Sequence, residues 1–178
     1  MRQLILGGAR SGKSRLAEAR AMEWSERTGA DLLYVATANA DDDEMARRIQ
    51  VHQSRRETRW QLREEPLDLA GVLHDNKDRD ACVLVDCLTL WLSNCLHMNC
   101  WAYERDRFLD ALESIEGSPL SLILVSNEVG SGIVPMGELS RQFVDASGWL
   151  HQALTPFCET VTLVVAGLPL ALKSESDQ

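Results

Sequence analysis

The 178-residue chain is short of positive charge: 18 Lys plus Arg stand against 27 Asp plus Glu, a net charge of −9 at pH 7. A field of that sign repels phosphate backbones, which excludes general nucleic-acid binding and requires that any anionic ligand be caught locally. Lysine is scarcer still, with only Lys13, Lys77 and Lys173. The arginines that make up the rest suit planar, bidentate phosphate recognition. No uninterrupted apolar run of about 18 residues occurs, so no membrane span is expected. The opening Met1 to Leu6 runs straight into glycine, without the apolar core and small-residue cleavage site of a secretory signal. Paired C-x-x-C halves are missing too, so Cys82, Cys87, Cys95, His97 and Cys100 do not have the spacing of a zinc ribbon.

What is present is apolar substance: 45% of the chain is hydrophobic, enough for one compact core at this length. A single domain over residues 1–173 is expected, followed by a disordered polar tail, 174–178. The five cysteines are odd in number and cannot all pair, and four of them fall in or just after one apolar stretch. That usage fits buried, reduced thiols and a cytoplasmic location.

Near-continuous apolar runs at Gln3–Leu6, Leu32–Ala36, Cys82–Asp86, Leu120–Ser126 and Val161–Ala166 predict strands buried on both faces of a mostly parallel sheet. Helical patterns lie between them. Ser14–Thr28 places Ala17, Ala21 and Trp24 on one side and meets a stop at Gly29; Asp41–Arg56 opens on acids and closes on arginines, matching the helix dipole. Tyr103–Glu116 repeats Phe108, Leu112 and Ile115 before Gly117-Ser118-Pro119 ends it. This alternation predicts an α/β fold with helices on both faces of the sheet and a ligand crevice at the carboxyl ends of the strands.

Gly7-Gly8-Ala9-Arg10-Ser11-Gly12-Lys13-Ser14 satisfies the P-loop pattern between a strand and a helix. Glycines let backbone N–H groups turn around a phosphate, Lys13 can reach the β and γ oxygens, and the Ser14 hydroxyl suits Mg²⁺. Val83-Leu84-Val85-Asp86 is an apolar strand ending in a carboxylate, the way P-loop proteins place a second acid near the metal. A turn-initiating Asp would look the same.

Arg48, His52, Arg55 and Arg56 occupy i, i+4, i+7 and i+8, one stripe of a helix carrying an imidazole among guanidiniums. Neighbouring cations press the imidazole toward its neutral, nucleophilic form. The same spacing also describes a solvated basic helix end. Asn127 and Glu128 follow a buried strand and precede a glycine-rich turn, as crevice residues or as loop anchors. Trp149 reads as core or subunit contact, and His74, His97 and His151 have no setting comparable to that of His52.

The P-loop, Tyr34-Val-Ala-Thr-Ala, the block Asp43-Glu44-Met45 through Arg48-Ile49-Gln50-Val51-His52, then Arg56, Trp60 and Glu64, and finally Val125-Ser126-Asn127-Glu128-Val129-Gly130-Ser131-Gly132-Ile133-Val134-Pro135 occur in this order across nearly the whole chain. Together they resemble the bifunctional adenosylcobinamide kinase/adenosylcobinamide-phosphate guanylyltransferase family of cobalamin synthesis. The resemblance implies a RecA-like P-loop NTPase domain, a homotrimer, and two reactions. These are phosphorylation of adenosylcobinamide by ATP or GTP, then transfer of GMP from GTP to adenosylcobinamide phosphate through a guanylylated histidine, which the match places at His52. It implies nucleotide contacts at Gly7, Gly8, Ala9, Arg10, Ser11, Gly12, Lys13 and Ser14, at Thr37, Ala38 and Asn39, at Gln53, Ser54, Arg55 and Arg56, and at Glu64 and Asp86. Some members carry two adjacent histidines where this chain has Val51 and His52, and the stretch from Trp91 to Tyr103 does not match the family pattern.

Two other readings stay open on the sequence. A P-loop kinase without guanylyl transfer would leave His52 unmodified by GTP. A nucleotide-dependent switch module would phosphorylate no corrinoid, and no partner-binding stripe is apparent for one.

Overall fold

A computed structural model describes residues 1–38 and 59–174. The predicted helix 41–56, together with Asn39, His52, Gln53, Ser54, Arg55 and Arg56, lies outside the described residues. So does the tail beyond Ser174.

Among the described residues seven strands form one sheet: β1 (Arg2–Gly7), β2 (Asp31–Ala36), β3 (Trp60–Glu64), β4 (Ala81–Asp86), β5 (Ser121–Asn127), β6 (Thr160–Val165) and β7 (Leu168–Lys173). Their spatial order is β3-β2-β4-β5-β1-β6-β7, all parallel except the antiparallel β6–β7 pair. The helices are α1 (Lys13–Thr28), α2 (Leu69–Asn76), α3 (Leu88–His97), α4 (Trp101–Ser114) and α5 (Glu138–Leu154), with a short 3₁₀ turn at Thr155–Phe157.

The continuous apolar runs are explained by burial on two sides. In β1, Leu4 and Leu6 face a core shared with α2 to α5, while Ile5 faces a second core against Ala17 and Ala21 of α1. The small side chains of Ala17 and Ala21, both fully buried, let α1 lie close to the sheet. Gly29 stops that helix in the left-handed region at φ 83°, its N–H donating to Ser25 O at 2.8 Å. On the other face Trp91 is fully buried, edge-on to Trp101 and Phe108, with Nε1–H donating to Leu67 O at 2.7 Å.

Several expectations are corrected. The last strand run ends at Val165, not Ala166. Ala166 and Gly167, at φ 52° and 80°, form a two-residue hairpin turn of the primed kind into β7. Of the two readings of Trp149, core or subunit contact, its 65% exposure removes the first: the buried stripe of α5 runs through Ala146, Ser147, Leu150 and Leu154, one position off. The predicted helix 103–116 is displaced to Trp101–Ser114. Cys82, Cys87, Cys95 and Cys158 are buried and Cys100 half-buried, all as free thiols. Among the described residues no helix is long and apolar enough to cross a membrane.

Candidate active site

The parallel register brings Gly7, Asn127, Asp86, Ala36 and Glu64 to the same edge of the sheet, since Gly7 pairs with Asn127, Ala36 with Asp86 and Ala36 with Glu64. At the usual interstrand spacing Asp86 lies two strands, about 10 Å, from the strand carrying the P-loop, and Glu64 four strands, about 19 Å. The site residues therefore form a row along the crevice rather than one cluster.

Between β1 and α1 the P-loop folds back on itself. Ser11 N–H donates to Gly8 O at 3.2 Å, Arg10 takes a left-handed φ of 57°, and Gly12 takes 98° at the helix start. Gly7 is required at its position: a Cβ there would fall 2.5 Å from Ser11 Oγ and 2.6 Å from Val164 O. The hairpin tip after β6 closes one wall, with Gly167 N–H donating to Ser11 O at 2.8 Å. Ala166 and Gly167 thus belong to the site although the sequence reading passed over them. The left-handed tendency of Gly167 was the available signal, but the tip's proximity to the P-loop depends on β6 pairing with β1.

A cavity of about 470 Å³ opens here, lined by Arg10, Ser11, Gly12, Lys13, Ser14, Arg15, Ala166 and Gly167. Its charged groups are two guanidiniums and an ammonium, with no acid, in a chain of net charge −9. Lys13 is only 9% exposed, and its Nζ donates to Gly8 O at 3.2 Å. Among the described residues no carboxylate stands within ion-pair distance of it. A buried ammonium with one carbonyl partner, beside a buried Ser11 Oγ with none, is a preorganised anion site.

Next along the crevice, Asp86 Oδ2 accepts from the Tyr34 hydroxyl at 3.0 Å. Thr37 is fully buried, its hydroxyl donating to Cys87 O at 2.7 Å and accepting from Cys87 N–H at 2.9 Å, which fixes the end of β2 against the residue after Asp86. Asn94 Nδ2 donates to Thr37 O at 2.8 Å, extending the brace to α3. Ala38 follows at the crevice edge, and Glu64 ends the edge strand with its side chain exposed.

The segment after β5 is tied to the P-loop, with Glu128 N–H donating to Gly7 O at 3.1 Å. Burial tends to raise the Glu128 carboxyl, but bonds from Ser131 and from the N–H groups of Gly130 and Ser131, with His151 nearby, outweigh it and hold the group below the usual carboxylate range. The buried Asn127 Oδ1 has no partner. His151 is the residue the sequence reading undervalued. Its Nε2 lies 2.8 Å from Ser126 Oγ, which sits 3.3 Å from Thr89 Oγ1, and Thr89 Oγ1 accepts from Asn127 N–H at 2.7 Å. No sequence spacing connects position 151 to 126; tertiary packing of α5 does.

A strand–loop–helix phosphate cradle, with one strand intervening before the acidic strand, defines a P-loop NTPase-like α/β protein. Comparison with known proteins narrows that class. The family model for cobinamide kinase / cobinamide phosphate guanyltransferase matches residues 3–172. The bifunctional adenosylcobalamin biosynthesis protein CobP of Pseudomonas aeruginosa is 53% identical over 178 residues, covering 98% of this chain and 99% of that protein. The bifunctional adenosylcobalamin biosynthesis proteins CobU of Escherichia coli and Salmonella typhimurium are each 35% identical over 183 residues, covering 96% of this chain and 98% of theirs. The chain belongs to the cobinamide kinase / cobinamide phosphate guanyltransferase family, a family of bifunctional nucleotide-dependent transferases.

Proposed function

We propose that this chain phosphorylates adenosylcobinamide at the P-loop with ATP or GTP and then transfers GMP from GTP to adenosylcobinamide phosphate through His52. The observation that carries the phosphate chemistry is the buried, acid-free setting of Lys13 beside the unpartnered Ser11 hydroxyl.

In the first reaction the corrinoid's hydroxyl oxygen attacks the γ-phosphorus. A new P–O bond forms, the bond to the β-phosphate oxygen breaks, the nucleoside diphosphate leaves and the hydroxyl proton is released. Lys13 and the backbone N–H groups of the loop offset charge on the transferred group. In the second reaction an imidazole nitrogen of His52 attacks the α-phosphorus of GTP and expels pyrophosphate; an oxygen of the corrinoid phosphate then takes the GMP and frees the histidine. Two displacements replace one direct encounter between two anions. Arg55 and Arg56 supply cations beside His52 in sequence, and Gln53, Ser54, Asn39, Thr37, Ala38 and Glu64 are proposed nucleotide contacts.

The Ser14 hydroxyl and the Asp86 carboxylate are hard oxygen donors of the kind Mg²⁺ takes, and Asp86 is oriented by Tyr34. Bound there, Mg²⁺ supplies charge neutralisation at the phosphate oxygens. Association between copies is supported by apolar surface left open on β7, where Leu168, Leu170 and Leu172 are exposed, and by Trp149; the trimeric state is what the family resemblance implies. A cytoplasmic setting is supported by the free cysteines. The single domain 1–173 is supported by the one continuous sheet.

The test separates the two reactions. Lys13→Ala should lower corrinoid phosphorylation at least about 100-fold. His52→Ala should retain phosphorylation yet make no GDP-linked corrinoid. Formation of that product by His52→Ala at the wild-type rate overturns the second step.

A further inference from the structure

A second cavity, about 620 Å³, lies between α3, α5 and the 128–135 loop, and shares no lining residue with the phosphate cradle. Leu96 of α3, Val129 and Pro135 of the loop, and Leu139, Phe143 and Val144 of α5 make its walls mostly apolar. Ser93, His97 and Ser140 add separate polar groups. Leu139 and Ser140 with Phe143 and Val144 repeat at helical spacing, as do Ser93, Leu96 and His97, so each helix gives one face to the groove.

We propose that this groove docks the corrin macrocycle of the cobinamide substrate; the inference rests on the functional reading above. Three observations support that occupant. The volume is in the range of small-molecule sites, and apolar walls with a few separated polar groups complement a macrocycle whose periphery carries methyl groups among carboxamides. The groove is also joined to the phosphate site through the chain. Val129 in its wall directly follows Glu128, whose N–H holds Gly7 O at the root of the P-loop. A macrocycle seated here can send its flexible aminopropanol arm along the 128–135 loop toward the cradle, while its ring stays clear of the nucleotide. Finally, Leu139 at 70% exposure belongs to no core cluster, so this wall presents an open apolar side chain.

Leu139→Asp puts a carboxylate on the wall, and Ser140→Trp fills the groove; both positions are exposed, so neither change disturbs the core. Adenosylcobinamide binding is read by quenching of tryptophan fluorescence in the Leu139→Asp and wild-type proteins. Phosphorylation kinetics are measured for all three, with oligomeric state by light scattering. Each variant should raise the KM for adenosylcobinamide at least tenfold, leave the KM for the nucleotide within twofold, and keep the wild-type oligomeric state. Unchanged corrinoid KM in both variants overturns the docking site. Dissociation of the oligomer in both assigns the face to contact between copies and overturns it too. A wild-type protein that forms guanylylated enzyme from GTP but neither binds nor phosphorylates cobinamide removes the functional reading, and the docking site with it.

Discussion

His151 Nε2 lies 2.8 Å from Ser126 Oγ, joining α5 to the residue before Asn127 at the crevice end of β5. Ser126 is 1% exposed, and its hydroxyl continues the chain to Thr89, which holds Asn127 N–H. The position of Asn127 beside Gly7 is therefore set partly by an imidazole from a helix far along the sequence.

Burial moves the His151 pKa below its ordinary 6.5, with Glu128, the charged group facing it, pulling the other way. A depressed histidine is neutral in the native state, so the unfolded chain binds the extra proton as pH falls. Its stabilisation is complete above about pH 6.5 and declines as pH drops toward the lower native value. His151→Gln should lower stability at pH 7.5 by about 1 kcal/mol and flatten the fall in Tm between about pH 7 and pH 5. Thermal melts across that range check it; parallel curves for the two proteins contradict it.

Neighbouring glycines of the P-loop should behave differently. Gly7→Ala drives a Cβ against Val164 O, a backbone atom that cannot step aside, and should lower Tm by about 5 °C and impair both transfers. Gly8 has nothing within 4 Å of the same virtual atom, so Gly8→Ala should keep Tm within about 2 °C of wild type. Differential scanning calorimetry of the two variants distinguishes them.

Thiol reactivity follows burial. Cys82 and Cys158 are pushed up to about 12 by desolvation, and Cys87 and Cys95 are raised for the same leading reason. Alkylation at pH 8 should modify half-buried Cys100 first, with the other four reacting only on unfolding. Peptide mapping after brief iodoacetamide treatment gives the order.

The central strands were legible because burial on both faces leaves a continuous apolar run, as in Leu4-Ile5-Leu6 and Val83-Leu84-Val85. Edge strand β3 was not, since only Trp60 and Arg63 are even half-buried, and β7 was missed because all but its last residue is exposed. Helices α2 and α3 follow β-strands with little polar spacing, so their apolar faces merge with their neighbours in the sequence. At the site, the P-loop was readable because its chemistry is local. The hairpin tip at Ala166–Gly167 and the His151–Ser126 bond were not, because each depends on strand order or helix packing.

The most direct measurement of the two-transfer account is mass spectrometry of the intact protein after incubation with GTP and Mg²⁺ and no corrinoid, followed by peptide mapping. The account predicts one GMP adduct, acid-labile, located on His52 and missing from His52→Ala. An adduct on another residue, or none in wild-type protein that nevertheless makes GDP-linked corrinoid, contradicts it.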